Sequence, residues 1–399
     1  MKKILIFSTA YPPFVGGAEV AIKEITDRIK DIEFDMVTLR FDSDLPKVEK
    51  IGNVTVHRIG FTTKNPSMND LVKFPLMLNK YLFPFTAWLK AKKLHKKNKY
   101  DGIWAMMAAY AGFGASFFKG SNKDVPYLLT LQEGDPIEYI KKRVRFVYPL
   151  FKKIFTRADI IQVISTYLGG FAKEMGFKGE PVLVPNAVNY AHFSHQYPEH
   201  EIEEIKKKLG KSDDDIYVIT ASRLVLKNAT DDVIKALKHL PEQVKFIVLG
   251  TGPDQEMLES LIKELNLEGR VKLVGQVDHK EMPKYLRASD IFIRPSLSEG
   301  FGNSFIEAMA AEIPVIATPV GGIVDFLFDP DKNPDKGPTG LFCQVRDPES
   351  IAEKIKRFIE DKDLRERIVG NAKAMVAEKY DWDIIARDMS RVFHDLTSK

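Results

Sequence analysis

Residues 290–322, DIFIRPSLSEGFGNSFIEAMAAEIPVIATPVGG, limit what this chain can fold into more than any other stretch. Residues 290–294 and 315–318 are short apolar runs without alternation, the pattern of strands buried on both faces of a parallel sheet. Helical periodicity between them covers 304–311. A helix that starts just after Gly300, Phe301, Gly302 and Asn303 turns unpaired N–H groups and the positive end of its dipole toward whatever lies above the sheet. Such an end is an anion site, and the glycines let a phosphate or a sugar approach the main chain without meeting a Cβ.

Glu299 enters this loop and Glu307 follows one turn into the helix, with seven residues between them. An ionised carboxylate only accepts hydrogen bonds, so it can hold two vicinal hydroxyls of a sugar or ribose. Spacing alone describes a loop charge and a solvated helix residue. The surrounding SEGFGNSFIEAM, however, resembles the donor-sugar signature of retaining glycosyltransferases of family 4, whose two-domain fold is called GT-B. The resemblance implies an α/β chain of two doubly wound Rossmann-like domains facing a central cleft. It also implies that Glu299 lies at the transferring sugar and Glu307 toward the ribose.

With 399 residues the chain can bury two cores. Its single cysteine, Cys343, excludes a disulfide within the chain and favours a reduced, cytoplasmic setting. The start, MKKILIFSTAYPP, has a basic end, but its apolar run is shorter than a secretory h-region and leads into Pro-Pro; it is expected to be the first strand. No run reaches the ~18 apolar residues of a membrane-spanning helix.

The loop YPPFVGGAE follows that strand and places Gly16 and Gly17 ahead of a helical stretch over 19–30. It resembles the PP-x-x-GG loop of the same transferases, whose main chain lies beside the donor phosphates and acceptor. Leu78, Tyr81, Leu82, Phe85, Trp88 and Leu89 then fall at helical spacing ahead of six lysines, with Pro84 as a break or kink. Residues 141–157 place Val144, Val147, Tyr148, Phe151 and Phe155 on a second stripe among seven basic residues and no acid. Core packing with a solvated face is the default reading of both; peripheral attachment to the inner face of an anionic membrane is the alternative. Gln132 ends a strand over 126–130, where the family often has histidine; glutamine cannot titrate but can still orient a sugar hydroxyl. Pro185-Asn186-Ala187-Val188-Asn189 resembles the segment closing the family's first domain, with Ala187 and Asn189 departing from it. The resemblance implies an acceptor-side domain over 1–198, joined by a terminal helix over 381–399, and a nucleotide-sugar-binding domain over 199–380.

In the second half, Arg223 and Lys227 follow a strand over 216–220 and are suited to a diphosphate, Arg as a fork and Lys as a point charge. They resemble the family's Arg-Leu-Val…Lys clamp. Asp42-Ser43-Asp44 has the spacing of a metal-binding Asp-x-Asp but sits in a charged loop, and Gly250-Thr251-Gly252 lacks the third glycine of a dinucleotide fingerprint.

Together these residues lead to an expected hexosyltransferase of mannose or glucose type, retaining and metal-independent. Its co-substrate is a UDP- or GDP-linked sugar; its acceptor is a saccharide or a lipid-linked one. No other cofactor and no nucleic-acid partner are expected. The rivals are a GT-B sugar-nucleotide epimerase or phosphorylase, and a binding module that holds a nucleotide sugar without turnover. Glu299, Arg223, Lys227 and Gln132 are the expected catalytic set. The donor contacts add Gly16, Gly17, Gly300, Phe301, Gly302, Asn303 and Glu307.

Overall fold

Ile4, Leu5, Ile6 and Phe7, in the first apolar run, are wholly buried, so neither face of their strand is left in water. Runs of this kind need helices on both sides, and the connections that supply them are βαβ crossovers. The computed structural model describes residues 1–14, 16–67, 70–71 and 73–398. Val15 of the YPPFVGGAE loop and Lys399 of the expected terminal helix lie outside the described residues.

The chain divides into two units, Met1–Asn186 with Trp382–Lys399, and Ala187–Asp381. The first holds β1 (Lys2–Phe7), β2 (Ile32–Leu39), β3 (Val48–Ile51), β4 (Val54–Ile59), β5 (Gly102–Met106), β6 (Tyr127–Leu131), β7 (Ile160–Val163) and β8 (Val182–Leu183). They form one sheet in the order β3-β4-β2-β1-β5-β6-β7-β8. Among the described residues only β3 runs antiparallel to its neighbour. The second unit holds β9 (Ile216–Ala221), β10 (Val244–Leu249), β11 (Val271–Gly275), β12 (Ile291–Arg294), β13 (Val315–Ala317) and β14 (Leu341–Phe342), all parallel, in the order β11-β10-β9-β12-β13-β14. The two Rossmann-like halves expected from the sequence are present.

Each strand order reverses once. The chain leaves β1 on one side and returns on the other at β5; in the second unit it leaves β9 and returns at β12. Open α/β sheets bind ligands beyond the carboxyl ends of the strands at such switch points. The loops that follow β1, β5, β9 and β12 are therefore where chemistry belongs in each unit.

Three expectations need correction. The division falls after Asn186 and not near residue 198, because residues 187–193 are tied to the second unit. Val188 bridges to Asp381, the Tyr190 N–H donates to the Asp381 carboxylate at 3.2 Å, and the Phe193 ring lies 5.2 Å from that of His279. Pro84 does not break its helix, which runs unbroken over Leu76–Asn98. Pro84 is buried there against the neighbouring helix Phe113–Ser121, where Gly114 brings the two backbones close. Residues 141–157 are not one helix: Ile137–Val144 and Tyr148–Thr156 are separated by a 3-10 turn, with Pro149 in the first turn of the second. The stripe is split accordingly, with Phe151 and Phe155 in the core and Val147 and Tyr148 exposed.

The other basic-aromatic stripe is turned outward. The helix Leu76–Asn98 buries Leu76, Phe83, Ala87, Ala91 and Leu94. Tyr81, Leu82, Phe85 and Leu89 are exposed. Core packing, the default reading of that stripe, is overturned for these four residues. The last helix, Trp382–Thr397, packs in the first unit, where the Phe393 ring lies 5.1 Å from Trp104 and 5.5 Å from Phe34. Among the described residues no helix is long and apolar enough to cross a membrane.

Candidate functional site

The second unit's switch point is built from two loops on neighbouring strands. β9 and β12 pair directly, so the loop carrying Arg223 and Lys227 lies beside the one carrying Glu299. The two are hydrogen-bonded: the Leu297 N–H donates to the Lys227 carbonyl at 2.7 Å. Glycine makes the Arg223 loop possible. A Cβ on Gly250 would stand 2.0 Å from the Ser222 carbonyl oxygen, and one on Gly252 2.1 Å from that of Leu224. Gly250-Thr251-Gly252 therefore packs two main chains together, which accounts for a motif that does not fit a dinucleotide fingerprint. The Leu224 N–H donates to Thr251 at 3.0 Å, and the Asn228 amide donates to the Arg223 carbonyl at 2.6 Å. The backbone is thus fixed while the Arg223 side chain stays exposed, with no ion pair to it among the described residues.

Glu299 is held from below by a residue that sequence reading missed. Arg294, the last residue of β12, is 7% exposed. Its guanidinium donates to the Glu299 carboxylate at 2.5 Å, to the Ser304 hydroxyl at 2.9 Å and to the Ser296 hydroxyl at 3.2 Å. It also lies 4.4 Å from the Phe305 ring centroid. One planar fork fixes the acidic residue, the first turn of the next helix and the strand end together. The second Glu299 oxygen accepts from the Gly300 N–H at 3.1 Å, so the carboxylate is oriented with lone pairs left for a ligand hydroxyl. In sequence, Arg294 reads as the polar end of a buried strand; nothing local marks the fork.

The helix Asn303–Ala310 begins as expected. Gly302 caps it with φ +99°, and a Cβ there would stand 2.5 Å from the Phe305 ring. Among the described residues no side chain caps this end, so its first N–H groups are open to a ligand or water. Phe301 turns its side chain away from the loop surface: 2% exposed, its ring lies 5.2 Å from Phe326 and 5.6 Å from Tyr380. What it can offer a ligand is main chain. Oε1 of Glu307 lies 3.2 Å from Nε2 of His279. Gly321 closes the site from the β13 side, with φ +54° and room for no Cβ, since one would stand 1.8 Å from the Glu299 carbonyl oxygen.

In the first unit the loop after β1 leads to the helix Gly17–Arg28. The Gly16 N–H is taken by the Glu19 carboxylate at 2.7 Å, whereas a Cβ on Gly17 would meet nothing within 4 Å. Burial raises the Glu19 carboxyl above its ordinary value. Arg58, buried, donates to the Pro12 carbonyl at 2.7 Å and steadies the same loop. Gln132 and Asn186 form a reciprocal amide pair at 3.1 and 3.3 Å. That pair leaves Gln132 one N–H and one lone pair for other use. Asp42 accepts from the Asp44 and Asn65 N–H groups at 3.0 and 3.3 Å, the behaviour of a turn residue.

Residues 201–375 match the family model described as glycosyl transferases group 1. An uncharacterised glycosyltransferase of Methanocaldococcus jannaschii is 25% identical over 397 residues, covering 100% of this chain and 99% of that one. The α-monoglucosyldiacylglycerol synthase of Acholeplasma laidlawii is 23% identical, covering 100% and 98%. The crystal structure of Anabaena HepE in complex with UDP and glucose is similar with a TM-score of 0.75, at 21% identity, covering 99% of this chain and 100% of that one. The match to the group 1 glycosyl transferase model thus falls within the second unit, and the likeness to glycosyltransferases extends over the whole chain.

Proposed function

We propose that the protein transfers a hexose of mannose or glucose type from a UDP- or GDP-linked donor to a hydroxyl of a saccharide or lipid-linked acceptor, with retention of anomeric configuration. The observation that carries this reading is the hydrogen bond from the Leu297 N–H to the Lys227 carbonyl. It joins a loop bearing two cations to one bearing an oriented carboxylate and an uncapped helix end. A nucleoside diphosphate sugar presents the complementary groups, with anionic oxygens for Arg223, Lys227 and the N–H groups at Gly302 and Asn303, and hydroxyls for Glu299 and Glu307.

In the reaction the bond between the anomeric carbon and the diphosphate oxygen breaks, and charge grows on the leaving diphosphate. Arg223, Lys227 and the helix end are preorganised for that charge. The acceptor oxygen bonds to the anomeric carbon from the face the diphosphate leaves, and its proton passes to a diphosphate oxygen. Glu299, fixed by Arg294, holds the sugar through this step. The likeness to a solved complex with UDP and glucose and to a lipid glucosyltransferase supports this choice of donor and acceptor.

The test is to incubate the protein with a panel of nucleotide sugars and measure released nucleoside diphosphate with and without saccharide and lipid acceptors. Acceptor-dependent release whose product keeps the donor's anomeric configuration is expected. Epimerised donor, acceptor-independent glucan chemistry or binding without release would each replace the transferase reading. Since cationic side chains and a helix end take the diphosphate's charge, excess chelator is expected to leave activity within about twofold.

The exposed aromatic face of Leu76–Asn98 favours one addition, attachment to the inner face of an anionic membrane. Tyr81, Leu82, Phe85 and Leu89 are exposed ahead of a lysine-rich turn, and Phe146, 85% exposed, lies under the Arg145 guanidinium at 4.5 Å from its ring centroid. Each basic residue near such a surface contributes roughly 1 kcal/mol at low salt. Co-sedimentation with anionic vesicles that is lost at high salt is expected; equal behaviour with neutral vesicles would remove the assignment.

A further inference from the structure

The two carboxylates of the candidate site are held by unlike partners. Glu299 is fixed by the buried Arg294 guanidinium, whereas the side chain beside Glu307 is His279, with its Nε2 3.2 Å from Oε1. The Glu307 side chain is 15% exposed and that of His279 65%. A pairing so near the surface normally contributes little, because ordering the two side chains offsets the attraction. This imidazole, however, is already ordered by its surroundings.

His279 lies in the loop after β11, in a turn closed by the Asp278 carboxylate, which accepts from the Lys280 N–H at 2.9 Å. The short helix Tyr190–Phe193, just inside the start of the second unit, packs on the ring. Phe193, fully buried, meets the His279 ring edge to face at 5.2 Å, and the His192 ring stacks on it at 6.0 Å with 26° between the planes. Nε2 of His192 donates to the His279 carbonyl at 3.2 Å, so side chain and main chain are steadied from the same helix. That helix is anchored in turn. Arg287 donates to the Ser194 carbonyl at 3.1 Å and to the Glu312 carboxylate at 3.2 Å, just beyond the end of the helix that carries Glu307. All of these residues belong to the second unit.

A glutamate has three side-chain torsions to fix when it binds a diol, and a partner that fixes them beforehand removes part of that cost. Such a partner must leave one carboxylate oxygen over. Among the described residues only Oε1 of Glu307 is engaged, so Oε2 is left for a ligand hydroxyl. We propose that His279 is the positioning residue for Glu307: its Nε2–H donates to Oε1 and sets the carboxylate so that Oε2 meets the ribose diol of the nucleotide, with His192 and Phe193 holding the imidazole. The diol as ligand rests on the nucleotide-sugar reading of this site. Preference for ribose over a deoxygenated sugar then depends on a histidine that does not touch the ligand.

The experiment is titration calorimetry of the full-length protein with UDP and GDP, and with the same nucleotides lacking the ribose 2′- and 3′-hydroxyls. It compares the wild type with His279→Ala, His279→Gln, His192→Ala, Glu307→Gln and the double variant of His279→Ala with Glu307→Gln. The His279 side chain is largely exposed, so its variants are expected to fold. His279→Ala should weaken binding of the ribonucleotide by about twofold to tenfold, the effect of freeing one side chain. It should change nothing for the dideoxynucleotide, and nothing further in the Glu307→Gln background. His279→Gln, whose amide keeps an N–H at the reach of Nε2, should restore most of the affinity. His192→Ala should give a smaller loss with the same dependence on the ribose hydroxyls. A loss that persists with the dideoxynucleotide would make His279 a direct ligand contact, and unchanged affinity in His279→Ala would make it a solvated surface group; either overturns the assignment and leaves nucleotide binding in place. A wild type that binds neither UDP nor GDP would overturn the nucleotide-sugar reading, and the role of His279 with it.

Discussion

The glycine-rich unit over 290–322 and the aromatic helix Leu76–Asn98 are both strongly patterned, yet pattern means different things in them. In the first, identity is dictated by contact, since Gly302 and Gly321 sit where a Cβ would stand 2.5 and 1.8 Å from neighbouring atoms. In the second, two faces compete for the core, and the one with the larger side chains loses. Phe83 is fully buried beside Ala87 and Ala91, while Phe85, two residues on, is 55% exposed. Small residues win that side because they let the helix lie close on its neighbour, and dense packing is worth more than a larger but poorly fitted apolar area. Periodicity therefore identifies the helix, while packing against a particular partner decides which face is inside.

The comparison breaks most readily at its buried ends. Phe83→Ala should destabilise the protein by about 3–5 kcal/mol, read by denaturant unfolding. Arg294→Ala should cost a similar ~3–5 kcal/mol, because it strands the Glu299 carboxylate whose side chain is 15% exposed. Arg294→Lys should restore part of the stability but little turnover, since a single point charge cannot hold Glu299, Ser304 and Ser296 at once.

Next in size is the buried acid of the first unit. With its carboxyl raised to about 7 in the folded protein, the stability tied to the protonated Glu133 is fully present below the ordinary value of 4.5 and is lost as pH rises through about 7. That loss amounts to about 3 kcal/mol. The melting temperature of Glu133→Gln relative to wild type should therefore climb between pH 5 and pH 8; parallel curves would mean that Glu133 ionises without penalty.

Smaller still, Arg223→Ala should weaken UDP or GDP binding by roughly 1.5–3 kcal/mol in calorimetry while leaving the melting temperature in place. Phe85→Ala, at the exposed end of the comparison, should change stability by no more than about 0.5 kcal/mol and reduce association with anionic vesicles. A large loss of stability there would return the outward face to the core.

What the sequence makes legible follows the same division. Strand, glycine turn and helix are readable around Gly16 and Gly302, and the strand before Arg223, because each rests on local rules of apolar runs, permissive backbone and helix ends. Asp347 ahead of Pro348 follows the same kind of local rule, and its carboxylate accepts from the Ser350 N–H at 2.9 Å as the cap of the helix Pro348–Glu360. Arg294 was not legible: its three partners are two, five and ten residues away, and only the bend of the loop brings them to one guanidinium. The purpose of Gly250 and Gly252 was hidden for a similar reason, because the atoms they make room for belong to Ser222 and Leu224 in the loop after β9. Glu133 was visible as a charge beside Gln132, but its burial depends on the path of residues 107–110, which no local pattern describes. The early domain boundary likewise depends on Asp381, far along the chain, reaching Val188 and Tyr190.

The terminal helix Trp382–Thr397 imposes an order of events on synthesis. A Cβ on Gly102 of β5 would stand 3.1 Å from Leu396, so the central strands of the first unit are shaped to receive a helix translated after the whole of the second unit. Domains made on the ribosome generally fold as units, starting with the first to emerge. Here Ala187–Asp381 is continuous and can complete its core as it emerges, while Phe34 and Trp104 wait for Phe393, which is made after it. The unit begun first of these two is thus the one closed second, and a stop just after Asp381, which removes the helix Trp382–Thr397, uncovers the sheet of the first unit and spares that of the second.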